Sequence, residues 1–130
     1  MSRELGLKWP IVLLMAATTE EIQREAWRGY FDTLAKVLPT VEVTVEVIGR
    51  DLGDQSVGER VLLAGISYDD KDDVLVIGLD RPEQVEHFVY NPKRVLVTAL
   101  EDGSTVIEVE DAEGHQTIIR YAQVPALPPE

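Results

Sequence analysis

The chain has no cysteine, which removes disulfides, thiolate zinc sites, Fe–S clusters and cysteine nucleophiles together. It has two histidines, His87 and His115, and they do not stand in a two-histidine metal spacing. Basic side chains are scarce, 12 against 24 acidic ones, and the formal net charge of −12 sets a field that repels phosphate backbones. Nucleic acid is therefore not expected as a partner, whereas basic or cation-bearing partners are favoured. No G-x-G-x-x-G or P-loop stands among the glycines, so no nucleotide cradle is expected and no cofactor is implied.

Long hydrophobic runs are also missing. The longest, Trp9 to Ala17 (WPIVLLMAA), falls far short of the roughly 20 residues of a membrane-crossing helix. Its length suits a signal-peptide core, with Arg3 and Lys8 before it, but Glu4, Pro10 and the bulky Leu14 and Met15 fit that role poorly. The expectation is a cytoplasmic protein with no membrane contact. In it, residues 1–17 form a buried or docking strand through which copies of the chain self-associate, since an apolar strand left unpaired invites aggregation.

At 130 residues the chain is expected to form one α+β domain over residues 18–122, followed by a proline-rich tail, 123–130. From Thr18 to Leu38 the apolar residues Ile22, Ala26, Trp27, Tyr30, Phe31, Leu34 and Leu38 recur at helical spacing. Thr18 and Glu21 have the spacing of a capping box, and Pro39 stops the helix. Gly29, in its middle, is expected to permit close packing on a sheet.

Beyond the helix, Val41, Val43, Val45 and Val47 alternate with polar residues, the signature of a half-exposed strand. Gly49 to Gly58 reads as a loop. Apolar runs then flank Asp69 to Asp73, and others are separated by Asn91-Pro92, Glu101-Asp102-Gly103 and Glu113-Gly114. Such short connections favour antiparallel neighbours. The expected fold is thus one N-terminal amphipathic helix packed on a six- or seven-stranded antiparallel meander, either open or curled into a small barrel.

Asp69, Asp70, Asp72 and Asp73 form the densest set of hard oxygen ligands and are the candidate site for Ca²⁺ or Mg²⁺. They do not match an EF-hand in either register, because Val74 or Leu75 falls where glycine must bend the loop. The alternative role for these carboxylates is a solvated hairpin tip. Ser67, in Gly65-Ile66-Ser67-Tyr68-Asp69, imperfectly matches a nucleophile elbow, failing where the second glycine is required. A hydrolase would need His87 or His115 beside a carboxylate, and no catalytic set is assigned. A non-enzymatic protein acting through protein contacts or self-association is the leading expectation, with cation binding at the acidic turn as the alternative.

Four stretches carry a resemblance: Glu25-Ala26-Trp27 with Tyr30-Phe31-Asp32, VEVTVEVIGRDLGDQ (Val41 to Gln55), LLAGISYDDKDD (Leu62 to Asp73) and HFVYNPKRVLV (His87 to Val97). The chain from about Thr18 to Tyr121 resembles a family of small bacterial proteins catalogued as a domain of unknown function. That resemblance implies no activity and no catalytic residues, and it leaves the apolar N-terminal segment outside.

Overall fold

A computed structural model describes residues 17–38, 41–80 and 84–122. The N-terminal segment through residue 16, Pro39, Arg81-Pro82 and the proline-rich tail lie outside the described residues. The elements in chain order are β1 (Ala17–Ile22), α1 (Arg24–Val37), β2 (Glu42–Gly49), β3 (Gly53–Asp69), β4 (Val74–Asp80), β5 (Gln84–Tyr90), β6 (Pro92–Leu100), β7 (Ser104–Asp111) and β8 (Gln116–Ala122).

These strands form one eight-stranded sheet in the order β1-β6-β7-β8-β2-β3-β4-β5, antiparallel at every pairing. Among the described residues the molecule is mostly β, and the sheet does not close into a barrel, since β1 and β5 each pair on one side only. The expected α+β arrangement, a helix on a consecutive meander, is therefore corrected. Five hairpins do follow the short-connection rule. The link from β5 to β6 does not, because its single residue Asn91, at φ 55°, turns the chain without pairing the two strands. The pairings of β1 with β6 and β2 with β8 join segments far apart in sequence, which no local pattern displays.

The first turns of the expected helix are also corrected. Residues 18–22 are strand, with Thr19 opposite Thr98 and their hydroxyls 2.9 Å apart. Three of the six residues of β1, Thr18, Thr19 and Ile22, are β-branched and suit a pleated surface, and cross-strand partners outweigh the capping-box spacing. The N-cap is Gln23, without a side-chain cap. Thr18→Ala should accordingly change stability by less than about 0.5 kcal/mol, where loss of a true N-cap costs about 1 kcal/mol. Chemical denaturation checks this.

Between β2 and β3 only residues 50–52 turn, so most of the expected loop Gly49 to Gly58 is strand. Arg60, at φ 55°, lies where the β2–β3 register shifts, and this bulge bends the 17-residue β3.

The valine alternation is realised: Val43, Val45 and Val47 are buried. They join Leu63, Ile66, Tyr68, Leu75, Ile77, Leu79, Ile107 and Ile119 in the core, to which α1 adds Trp27, Phe31 and Leu34. Gly29 serves no packing purpose, since a Cβ built there meets nothing within 4 Å. Gly29→Ala should raise stability by about 0.5–1 kcal/mol through backbone entropy alone, measurable as a higher melting temperature.

Candidate functional site

Because β2 is bonded to both β3 and β8, the turn at residues 50–52 stands beside the turn at residues 112–115. Asp111 shapes the second turn: its Oδ1 accepts the backbone N–H groups of Glu113 and His115, both at 2.9 Å. That geometry carries the His115 ring over Gly49, where any Cβ would overlap the imidazole. His115 then spans the two turns. Its Nε2 donates to Asp51 Oδ1 at 2.8 Å, and its Nδ1 lies 3.5 Å from Asp111 Oδ2 and 3.8 Å from Glu113 Oε1. A cleft of about 450 Å³ opens over Arg50, Asp51, Glu113, Gly114 and His115.

The hydrogen bond to Asp51, reinforced by the charges of Asp51, Asp111 and Glu113, raises the pKa of His115, and the same bond lowers that of Asp51. His87 behaves oppositely. It is half-buried on β5, its Nε2 lies 3.4 Å from Thr117 Oγ1, and burial lowers its pKa. The charged form of His115 is favoured by folding, so its contribution to stability is full below the unfolded value near 6.5 and is lost as pH rises through the folded one. For His87 the contribution is full above 6.5 and is lost as pH falls through its folded value. An NMR titration should place the two imidazoles on opposite sides of 6.5, and Asp51→Asn should bring His115 down. Coincident titration of the two rings would contradict these environments.

Next to the His115 cleft, β5 turns Phe88 and Tyr90 outward. They are 42 % and 61 % exposed, and their rings stack at 5.9 Å between centroids and 21° between planes. A hollow of about 200 Å³ lies between them and the β7–β8 turn, lined by Phe88, Tyr90, Asn91, Asp111, Glu113 and His115 among others. Asn91 anchors this side. Its N–H donates to the Asp73 carbonyl and its own carbonyl accepts from Ala112 N–H, at 2.9 and 3.0 Å.

Through Asp73 the hollow is tied to a second cluster. Arg24 reaches Tyr68 Oη at 3.2 Å, Asp73 Oδ1 at 3.3 Å and the Pro92 carbonyl at 2.9 Å, while its guanidinium lies 4.4 Å from the centre of the Trp27 ring. Tyr68 donates to Asp73 at 2.6 Å, and burial followed by the Asp73 carboxylate pushes its hydroxyl up to about 12. A larger cleft of about 580 Å³ runs between α1 and the face of β3–β5, rimmed by Asp32, Lys36, Gln84 and Glu86, with Ser67 in its lining.

The acidic turn is a hairpin tip whose carboxylates meet separate donors. Asp69 Oδ1 accepts from the N–H groups of Lys71 and Asp72, Asp70 Oδ2 lies 3.6 Å from Arg28, and Asp73 holds Tyr68 and Arg24. Among the described residues, no three Asp, Glu or His side chains converge as a metal-binding group. Of the candidate bases, nucleophile and metal ligands read from the sequence, His115 falls in the charged and aromatic cleft. Its partners Asp51 and Asp111 carried no local signal, while Phe88 and Tyr90, two residues apart, share a strand face that pattern alone does not assign to solvent.

The profile of a family of unknown function, DUF5335, matches residues 18–130. The chain belongs to that family. The match covers every element except the first residue of β1, and it leaves out the N-terminal apolar segment. An uncharacterized protein of Aquifex aeolicus (strain VF5) is 44 % identical over 110 residues, which cover 85 % of this chain and 96 % of that protein. No solved structure matches. Among the described residues, no helix is long and apolar enough to cross a membrane.

Proposed function

We propose that this DUF5335 protein is a non-enzymatic binding domain that acts by holding a segment of another polypeptide along β5. The observation that carries the reading is the exposed, stacked pair Phe88 and Tyr90 on a strand that, among the described residues, pairs on one side only. Large aromatic side chains left in water are characteristic of the anchoring centre of a protein interface. An edge strand supplies the backbone groups to which an extended peptide can add. The two features coincide on one strand of seven residues, and that coincidence supports recognition.

A benzophenone amino acid placed at position 88, irradiated in cells of the source organism, tests this. The expected product is an adduct with a different polypeptide, absent when the same group stands at Glu101 in the exposed β6–β7 turn. No adduct at position 88 overturns the reading. An adduct with a second copy of the chain replaces it with self-association.

A further inference from the structure

We infer that the segment held along β5 presents a lysine or arginine side chain whose cation seats in the hollow between the Phe88–Tyr90 pair and the β7–β8 turn. This rests on the proposed function and specifies the chemistry of the partner. Two kinds of group line the hollow. Phe88 and Tyr90 bring aromatic rings, a kind of group that attracts a cation, and Asp111 and Glu113 bring carboxylates to the same lining. At about 200 Å³ the space suits the end of one side chain. An anionic ligand would meet Asp111 and Glu113, so phosphates, acidic peptides and nucleic acid are disfavoured.

The groups facing the hollow also say how occupancy responds to pH. Asp111 ends β7 and Glu113 stands on the β7–β8 turn, while Arg50 and Asp51 on the β2–β3 turn flank the adjoining cleft. His115 lies between the turns within 3.8 Å of all three carboxylates. A protonated His115 already places a positive charge beside Asp111 and Glu113, so it competes with the incoming cation. Binding should tighten as pH rises and His115 gives up its proton, and the bound cation should in turn make that proton easier to lose.

The test uses the full chain and fluorescein-labelled octapeptides of alternating valine and threonine that differ at one central position: lysine, arginine, norleucine or glutamate. Fluorescence anisotropy should show lysine and arginine peptides binding, the norleucine peptide about fivefold or more weaker, and the glutamate peptide weakest. Glu113→Gln should cost the lysine peptide about threefold to tenfold in affinity while leaving the norleucine peptide nearly unchanged, whereas Tyr90→Leu, which removes part of the aromatic anchor, should weaken both peptides and the lysine one more. His115→Gln should remove the pH slope, which a merely structural role for the ring would not do selectively. Equal affinity for lysine and norleucine peptides, or no binding of the lysine peptide, overturns the inference. The benzophenone adduct at position 88 then decides separately whether β5 is a protein-contact strand at all.

Discussion

Trp27→Ala is expected to lower stability by about 3–5 kcal/mol, a large part of what a domain of this size possesses. Trp27 is 2 % exposed, and three elements meet on it. Its indole N–H donates to the Ile22 carbonyl at the end of β1, its ring meets the Tyr68 ring of β3 edge-on at 5.3 Å and 87°, and the Arg24 guanidinium covers it. Truncation leaves a cavity and strips the Ile22 carbonyl of its donor. Trp27→Phe retains much of the ring and should cost less, with the lost hydrogen bond contributing about 1 kcal/mol. Urea unfolding followed by far-UV circular dichroism measures both. A loss below about 1 kcal/mol for the alanine variant would mean that this residue does not fasten α1 and β1 to the sheet.

Ile77→Ala should be nearly as severe, at about 2–5 kcal/mol. Ile77 is fully buried in β4, opposite Ile66 of β3 and His87 of β5. Its neighbour Val76 points the other way, toward the cleft beside α1, and is only half-buried. Val76→Ala should therefore cost less than about 1 kcal/mol. The contrast between adjacent residues tests the register directly, because slipping β4 by one position would exchange the two faces. Equal losses for the two variants would contradict the pairing described.

Which parts of this architecture could be read locally follows from where the deciding contacts lie. The alternation of Val43, Val45 and Val47 records burial on one sheet face, and the acidic residues at Asp69 to Asp73 mark a true hairpin end. The stripe of Trp27, Phe31 and Leu34 likewise marks the buried face of α1. Residues 18–22 satisfy helical and extended readings alike, and their partner strand, β6, decides between them across 79 residues at the Thr19–Thr98 contact. Asn91 reads as a turn and is one, but a turn signal does not say whether the strands on either side will pair. As a candidate base of the site, His115 was legible in the sequence. Asp51, which holds its ring, is 64 residues away, and the shared face of Phe88 and Tyr90 was visible without any sign of which face of the sheet it was.

The placement of β8 has a consequence for how the chain comes together. Last in chain order among the described strands, it lies between β7 and β2, so among the described residues it is the one strand that bonds the block β1-β6-β7 to the block β2-β3-β4-β5. Until residues 116–122 have left the ribosome, a nascent chain can close hairpins but cannot join these halves. The joining contact, Val43 opposite Tyr121, encloses most of the intervening chain, and closing so long a loop precedes any gain from the pairing. Non-local β topologies of this kind fold over roughly milliseconds to seconds, far slower than the microseconds in which a hairpin forms. Premature termination before β8 would leave β2 and β7 as two new open edges, and such a product is one for proteases and chaperones rather than a shortened working protein.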